Sequence, residues 1–427
     1  MKKRLMAIVV SISLSMSVVG MSFGAGFQIP EQGAASVAMG MGGIGKADDL
    51  SAAYQNPAGL IQSTGTQIFV NSGGISPRAT YTRTGYDSIE NKSDLILVPS
   101  LMLSSDFGKW ENLVLAVGIN AQFGLRNEYD DMGPQRYISN NISLVTIYVG
   151  PYAAWQIKPN ISIGAGIQYV HASAEIGQKI NYGGVLNPML NENPDYDGIL
   201  DITDAVDNTV AGNLGLLWKA AENLQVGLTW RSGVDLDLEG DVTLDIPAAI
   251  TALSGGLMQS INTTGATTLS LPQIVGAGLA FQATDGLELI ADLNWLNWSV
   301  YENIDFDFSD NTPYFPDTEN PRDWEDTWTF RLGGEYMLKE HIALRAGYLF
   351  DQSPIPDKSI GPELPTNDRH GISAGVGYAW NNMTLDIAYA HLFIKDRSVS
   401  RNIRHTQPIG DYETSANIFA ASLGFTF

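Results

Sequence analysis

The sequence predicts an all-β protein: a 14-stranded antiparallel transmembrane β-barrel with an N-terminal hatch inside its lumen. Three observations predict it. From residue 66 to the end, stretches of about ten residues alternate apolar with small or polar side chains, enough for a tilted strand to cross a bilayer. The connections between those stretches are short and long in turn. Residues 25–65, ahead of the first strand, are rich in Gly and Ala and lack the alternation.

Composition narrows the class first. Charged residues are 16% of the 427-residue chain and aromatics 10%, with 44 glycines, against roughly 25% charged residues in soluble domains. Mean hydropathy is near zero. The balance of 24 basic to 46 acidic residues, −22 overall, leaves no basic run beyond the expected leader to attract nucleic acid. The absence of cysteine removes disulfides, thiolate metal sites and cysteine nucleophiles together. No segment after the leader approaches 18 uninterrupted apolar residues, so no spanning helix is expected.

The chain opens with Lys2, Lys3 and Arg4, an apolar run from Leu5 to Val19, and Ser22-Phe23-Gly24. This is the charged, apolar and small-x-small pattern of a cleaved export leader over residues 1–24. The hatch follows over 25–65, and its glycines permit a tight backbone path. Eight strands leave an interior that side chains can fill, whereas sixteen leave a channel. Fourteen fall between, so the hatch is the natural filler.

The barrel takes residues 66–427. Leu113, Leu115, Val117, Ile119 and Phe123 oppose Ala116, Gly118, Asn120 and Gln122. Leu224, Val226, Leu228 and Trp230 oppose Gln225, Gly227, Thr229 and Arg231. Leu287 to Trp295, Ile342 to Phe350 and Phe419 to Phe427 repeat the pattern. Short connections are expected near 104–110, 158–160, 220–223, 283–286, 338–341 and 381–382. Long polar ones fall near 84–93, 124–141, 182–208, 240–266, 303–325, 351–369 and 395–414. Tight turns on one side and long loops on the other distinguish a membrane barrel from a soluble sandwich. Trp155, Trp218, Trp230, Trp295, Trp298, Trp328 and Trp380 lie at segment ends, as an interfacial belt requires.

Few motifs point to chemistry. Gly40 to Lys46 approaches a phosphate-binding loop, but it lacks the flanking strand and helix, and Ala47 stands where a hydroxyl is needed. His171, His341, His370, His391 and His405 have no metal-ligand spacing. The acidic stretch Asp195 to Asp207 lacks an EF-hand pattern and reads as a solvated loop. No catalytic constellation, cofactor or metal site is expected. Ile246, Ala249, Ile250, Leu253, Leu257 and Ile261 recur at helical spacing in a long loop. Two readings stand: a helix that covers its own loop, or an apolar landing surface of Ile246, Ile250, Leu253 and Leu257. Arg231, Arg331, Arg345, Glu288, Asp292 and Glu335 all have the lumen phase. An ion network that holds the hatch through Asp48 and Asp49 is favoured over a basic handle for a ligand carboxylate, because lumen charges need partners.

AGFQI at Ala25, ADDLSAAYQNPAGL at 47–60, and the late blocks WTFRLGGEY, ALRAGYLFDQSPIP, PTNDRHGISAGVGY and LDIAYAHLF resemble the FadL/TodX family of outer-membrane transporters for long-chain fatty acids and hydrocarbons. The resemblance implies a bacterial outer-membrane barrel with a hatch, in which Asn56, Pro57 and Ala58 match the hatch motif. It implies a landing groove between the third and fourth outer loops, about 183–208 and 240–266. A lumen pocket would lie at Ala25, Gly26, Phe27 and Gln28, with hatch movement and lateral exit near the third strand. The expected partners are a hydrophobic small molecule and outer-membrane lipid and lipopolysaccharide, with a monomer as the unit. Fatty-acid carriers of the family place bases on the fifth strand and after the ninth. The corresponding stretches here offer His171, Ser173, Glu175 and Asp305, which argues for a neutral ligand. A water-filled porin and a non-transporting surface protein are the alternatives.

Overall fold

The computed structural model describes residues 26–92, 95–311, 315–402 and 409–427; the expected leader, Ala25 and His405 fall outside them. Fourteen strands build the wall: β1 Thr66–Arg83, β2 Ile96–Ser105, β3 Leu113–Asn120 continuing as Gly124–Glu128, β4 Asn141–Lys158, β5 Ile161–Asn181, β6 Asp197–Ala221 and β7 Leu224–Arg231 continuing as Val234–Asp245. The rest are β8 Ile261–Leu271 continuing as Ile274–Thr284, β9 Leu287–Leu296, β10 Thr327–Lys339, β11 Ile342–Asp351, β12 Arg369–Trp380, β13 Met383–Ile394 and β14 Gly410–Thr426. Each pairs antiparallel with its neighbours, and β14 closes on β1 from Gln67↔Thr426 to Arg83↔Gly410. Closure leaves no free edge, as a bilayer requires.

The six short connections fall where the sequence put them, on one rim. The long ones share the other rim, but two are shorter than expected. Strands β5 to β8 run on past the expected loop starts, so the third and fourth outer loops shrink to 182–196 and 246–260. The pattern that sustains these extensions is inverted. In the lower half of β7, Leu228 and Trp230 face outward while Gly227 and Arg231 face in. Above it, Asp235, Asp237, Glu239 and Asp241 face outward while Val234, Leu236, Leu238, Val242 and Leu244 are buried inside. Along β7 the wall is thus apolar on its outside in the lower half and apolar on its inside in the upper half.

In β7 and β8 the inversion happens at breaks. Residues 232–233 interrupt β7 and 272–273 interrupt β8 at the same height, with Arg231 opposite Ile274 below and Val234 opposite Leu271 above. Pro272 has no N–H for the ladder. A third break, 121–123 in β3, turns inward. This corrects the expected outward phase of Phe123, which is buried in the lumen. Trp298 is corrected likewise: it is fully buried inside, whereas Trp155, Trp218, Trp230 and Trp328 are exposed on the outer face.

Residues 26–65 fill the lower lumen with two short helices, Ala34–Ala38 and Ala52–Gln55, and a 3-10 turn, Pro57–Gln62. Inward-facing glycines of the wall let hatch backbone approach. A Cβ on Gly347 would overlap the Gly40 backbone, and one on Gly164 would overlap Pro57 and Ala58. Gly40 itself takes φ +72°, a conformation that glycine adopts without strain.

Candidate functional site: an apolar chamber above the hatch

Between the hatch and the outer loops lies a cavity of about 490 Å³. Its walls come from the upper parts of β3 to β6 and from loops 297–326 and 352–368. Its floor is aromatic. Phe27 meets Trp298 edge-on at 4.9 Å and Phe123 at 6.3 Å, and Tyr301 meets Trp324 at 4.8 Å. Such edge-to-face contacts stabilise beyond the area they bury. Gly26, at φ +66°, packs so closely on Trp298 that a Cβ would strike the indole.

The floor is tied to the broken wall. Ile29 N donates to the Gln122 carbonyl (2.8 Å), and Gly124 N donates to the Phe27 carbonyl (2.9 Å). Gln28 sits opposite Phe123 as a bridge, and its amide donates to the Tyr54 hydroxyl at 3.0 Å. The first hatch residues therefore occupy the place in the ladder that β3 leaves vacant.

Deeper residues hold the hatch in place. Asn56 is fully buried; its amide donates to the Ile44 and Leu216 carbonyls, both at 3.0 Å. Its oxygen accepts from Ala58 N at 3.2 Å and so starts the turn at Pro57. Asp292 accepts from Gly43 N (2.6 Å) and Ile44 N (3.1 Å), and lies opposite Arg331 in register. Arg231 donates to the Tyr54 carbonyl (2.6 Å) and stacks over its ring. Lys46 reaches Glu288, Glu335 (3.1 Å) and Asp48 (2.8 Å). Arg345 bridges Glu335 (2.6 Å) and Asp386 (2.5 Å). Asp49 accepts from Ser51 within the hatch, so the hatch reaches the wall acids through Lys46, a residue that the sequence reading passed over.

Other expected residues separate. The helix Ala248–Leu253 exists, but Ile246 and Ile250 turn inward, at 9% and 0% exposure, with Met258 beside them. They therefore cannot form a landing surface, and that expectation is corrected. Leu253 and Leu257 stay exposed at 59% and 66%, as do Val185 and Met189 of loop 182–196. On β5, His171, Ser173 and Glu175 have the outward phase, and His171 pairs with Asn208 on the outer face. Asp305 is solvent-exposed and caps Asn320 N. None of the four lines the chamber. The base that the reading missed is Arg322, in a loop after β9, which does line it. Among the described residues no group of His, Asp or Glu is arranged to hold a metal ion.

Over the chamber the loops are latched. Arg83 of β1 binds Glu192 through both amino groups, at 2.8 and 3.1 Å, and Tyr86 donates to the same carboxylate at 2.6 Å. Arg136 joins Asp197 (2.9 Å) to the Glu192 carbonyl (2.7 Å). Burial alone would push the Glu192 carboxyl up, but the Arg83 and Tyr86 hydrogen bonds outweigh it and hold it below its ordinary value.

Comparison with known proteins agrees with this architecture. The family described as outer membrane protein transport protein (OMPP1/FadL/TodX) matches residues 15–427. The chain is 24% identical over 403 residues to a long-chain fatty acid transport protein of Escherichia coli O6:H1, covering 87% of each. It is 23% identical over 352 residues to outer membrane protein P1 of Haemophilus influenzae, covering 74% of this chain and 72% of that one. Among solved structures, a Pseudomonas aeruginosa FadL homologue superposes with a TM-score of 0.80 at 20% identity, covering 94% of this chain and all of that one. The P. putida toluene transporter TodX superposes at 0.75 and 17% identity, covering 92% and 98%. The chain belongs to the OMPP1/FadL/TodX family, and is a bacterial outer-membrane channel for the uptake of hydrophobic small molecules.

Proposed function

We propose that this channel takes uncharged hydrophobic molecules from the exposed rim residues Leu253, Leu257, Val185 and Met189 into the apolar chamber. From there they pass sideways through the wall at the β3 break. Relatives described as fatty-acid and toluene transporters frame the choice of ligand. The neutral reading rests on the chamber: Arg322 and Glu363 are the two charged residues among those lining it, and they pair at 2.7 Å. The observation that carries the route is the Phe27 floor, whose backbone is hydrogen-bonded into the inward-turned break of β3. Withdrawal of Gly26 to Gln28 would open the floor and the wall together. The hatch below, clamped by Asn56 and the lysine network, blocks an axial pore and so weighs against a water-filled porin. A single barrel in outer-membrane lipid and lipopolysaccharide would be the working unit.

The chain has no cysteine, so one disulfide can test the route. Gln28→Cys with Phe123→Cys, at bridged positions, is expected to abolish uptake of a radiolabelled hydrocarbon when oxidised, and reductant is expected to restore it. Full uptake by the oxidised pair would exclude the lateral route.

A further inference from the structure

We infer that Glu363 is a specificity-determining residue: a built-in carboxylate that occupies the guanidinium of Arg322 and so denies it to anionic ligands. The inference rests on the chamber being the ligand's resting place. A guanidinium at an apolar cavity is the natural receptor for a carboxylate, which it grips through two parallel hydrogen bonds. Here the Glu363 carboxylate already takes one of those positions, with Arg322 Nη1 donating to Glu363 Oε1 at 2.7 Å.

Both partners are held from behind. Asn127 Nδ2 donates to the Pro362 carbonyl at 2.8 Å, and the Tyr129 hydroxyl donates to the same oxygen at 3.1 Å. Gly361 leaves the space that the Glu363 carboxylate uses, since a Cβ there would overlap it. On the other side, Arg322 N and Asp323 N donate to the Glu302 carbonyl at 2.6 and 2.9 Å. A ligand carboxylate would have to shed its water, displace a tethered rival and tolerate that rival's charge. An ester, alcohol or hydrocarbon meets a pair with no net charge.

Removing the internal carboxylate should reverse the preference. Binding of a radiolabelled long-chain fatty acid and of its methyl ester is measured on the purified full-length channel in detergent at pH 8. The wild type is expected to bind the ester at least as tightly as the acid. Glu363→Gln should raise affinity for the acid on the order of 10-fold, the strength of one charge-assisted hydrogen bond, and raise the acid-to-ester ratio with it. Arg322→Gln added to it should erase that gain. A wild-type channel that binds the acid about tenfold tighter than the ester overturns the inference without recourse to any variant. So does a folded Glu363→Gln protein, shown by heat-modifiable gel mobility, whose acid-to-ester ratio has not moved. If neither probe binds the wild type, it is the chamber reading that fails.

Discussion

Lys46 carries more of the hatch's attachment than any other charged side chain in residues 26–65. It touches acids on β9 and β10 as well as Asp48 in its own segment, and its side chain is only 9% exposed. Removing one member of a buried ion group leaves the others uncompensated, typically at a cost of 3–5 kcal/mol. Lys46→Met is therefore expected to loosen the hatch by about 3 kcal/mol. The measurement is backbone hydrogen exchange, which should speed up across 40–60 while strand amides stay protected. Unchanged exchange would mean that Asn56 and Asp292 suffice alone. The wall residues Glu288, Glu335 and Arg345 of this network were legible because charge inside a membrane barrel is conspicuous. Their partners were not: the lumen phase identifies Glu288 and Glu335 but says nothing of which hatch residue curls towards them. Phe123 and Trp298 failed for a related reason, since an aromatic near a strand end fits a lipid belt and a lumen floor equally well.

Strands were easier to read than loops. The six tight turns were legible because turns in a barrel cannot wander. The breaks were not. Leu228, Trp230, Leu236 and Leu238 are all even-numbered, yet the first two face outward and the last two face the lumen, because residues 232–233 swap the faces without breaking the count. Period-two arithmetic continues smoothly across such a kink, so the upper strands of β7 and β8 read as loop. The outer loops above them are joined by the Glu192 latch, which predicts a pH response. The folded carboxyl lies below its ordinary value, so the latch adds stability above the unfolded pKa of about 4.3. That contribution disappears as pH falls through the folded value. A spin label at Met189 should therefore be restrained at neutral pH and gain motion in acid, and Glu192→Gln should be mobile throughout. A wild-type label indifferent to acid would show that the loop is held by Arg136 instead.

At the scale of the whole molecule, the reversal of polarity implies where the membrane ends. A strand rises about 3.3 Å per residue at a tilt near 40°, and the apolar band of such barrels is about 25 Å tall. Leu228 then lies roughly 10 Å above the inner rim and Asp237 above 30 Å, on either side of the break. The barrel wall thus continues beyond the bilayer as a cup, with the acids of β7 on its exterior facing water and an apolar interior that is the proposed resting place of the ligand. Under the proposed route, this arrangement would carry a hydrophobic molecule across the polar outer layer without exposing it. With no native cysteine, the boundary can be mapped on intact cells. Asp237→Cys, which is exposed on the outer face, should react with a membrane-impermeant thiol reagent. Leu228→Cys, 50% exposed in the same strand, should stay unlabelled until the membrane is dissolved, because lipid covers it. If both positions label on whole cells, the lower half of β7 is not in the bilayer. If neither does, the cup is sunk within it, and the inverted strands would need a protein partner to cover their acids.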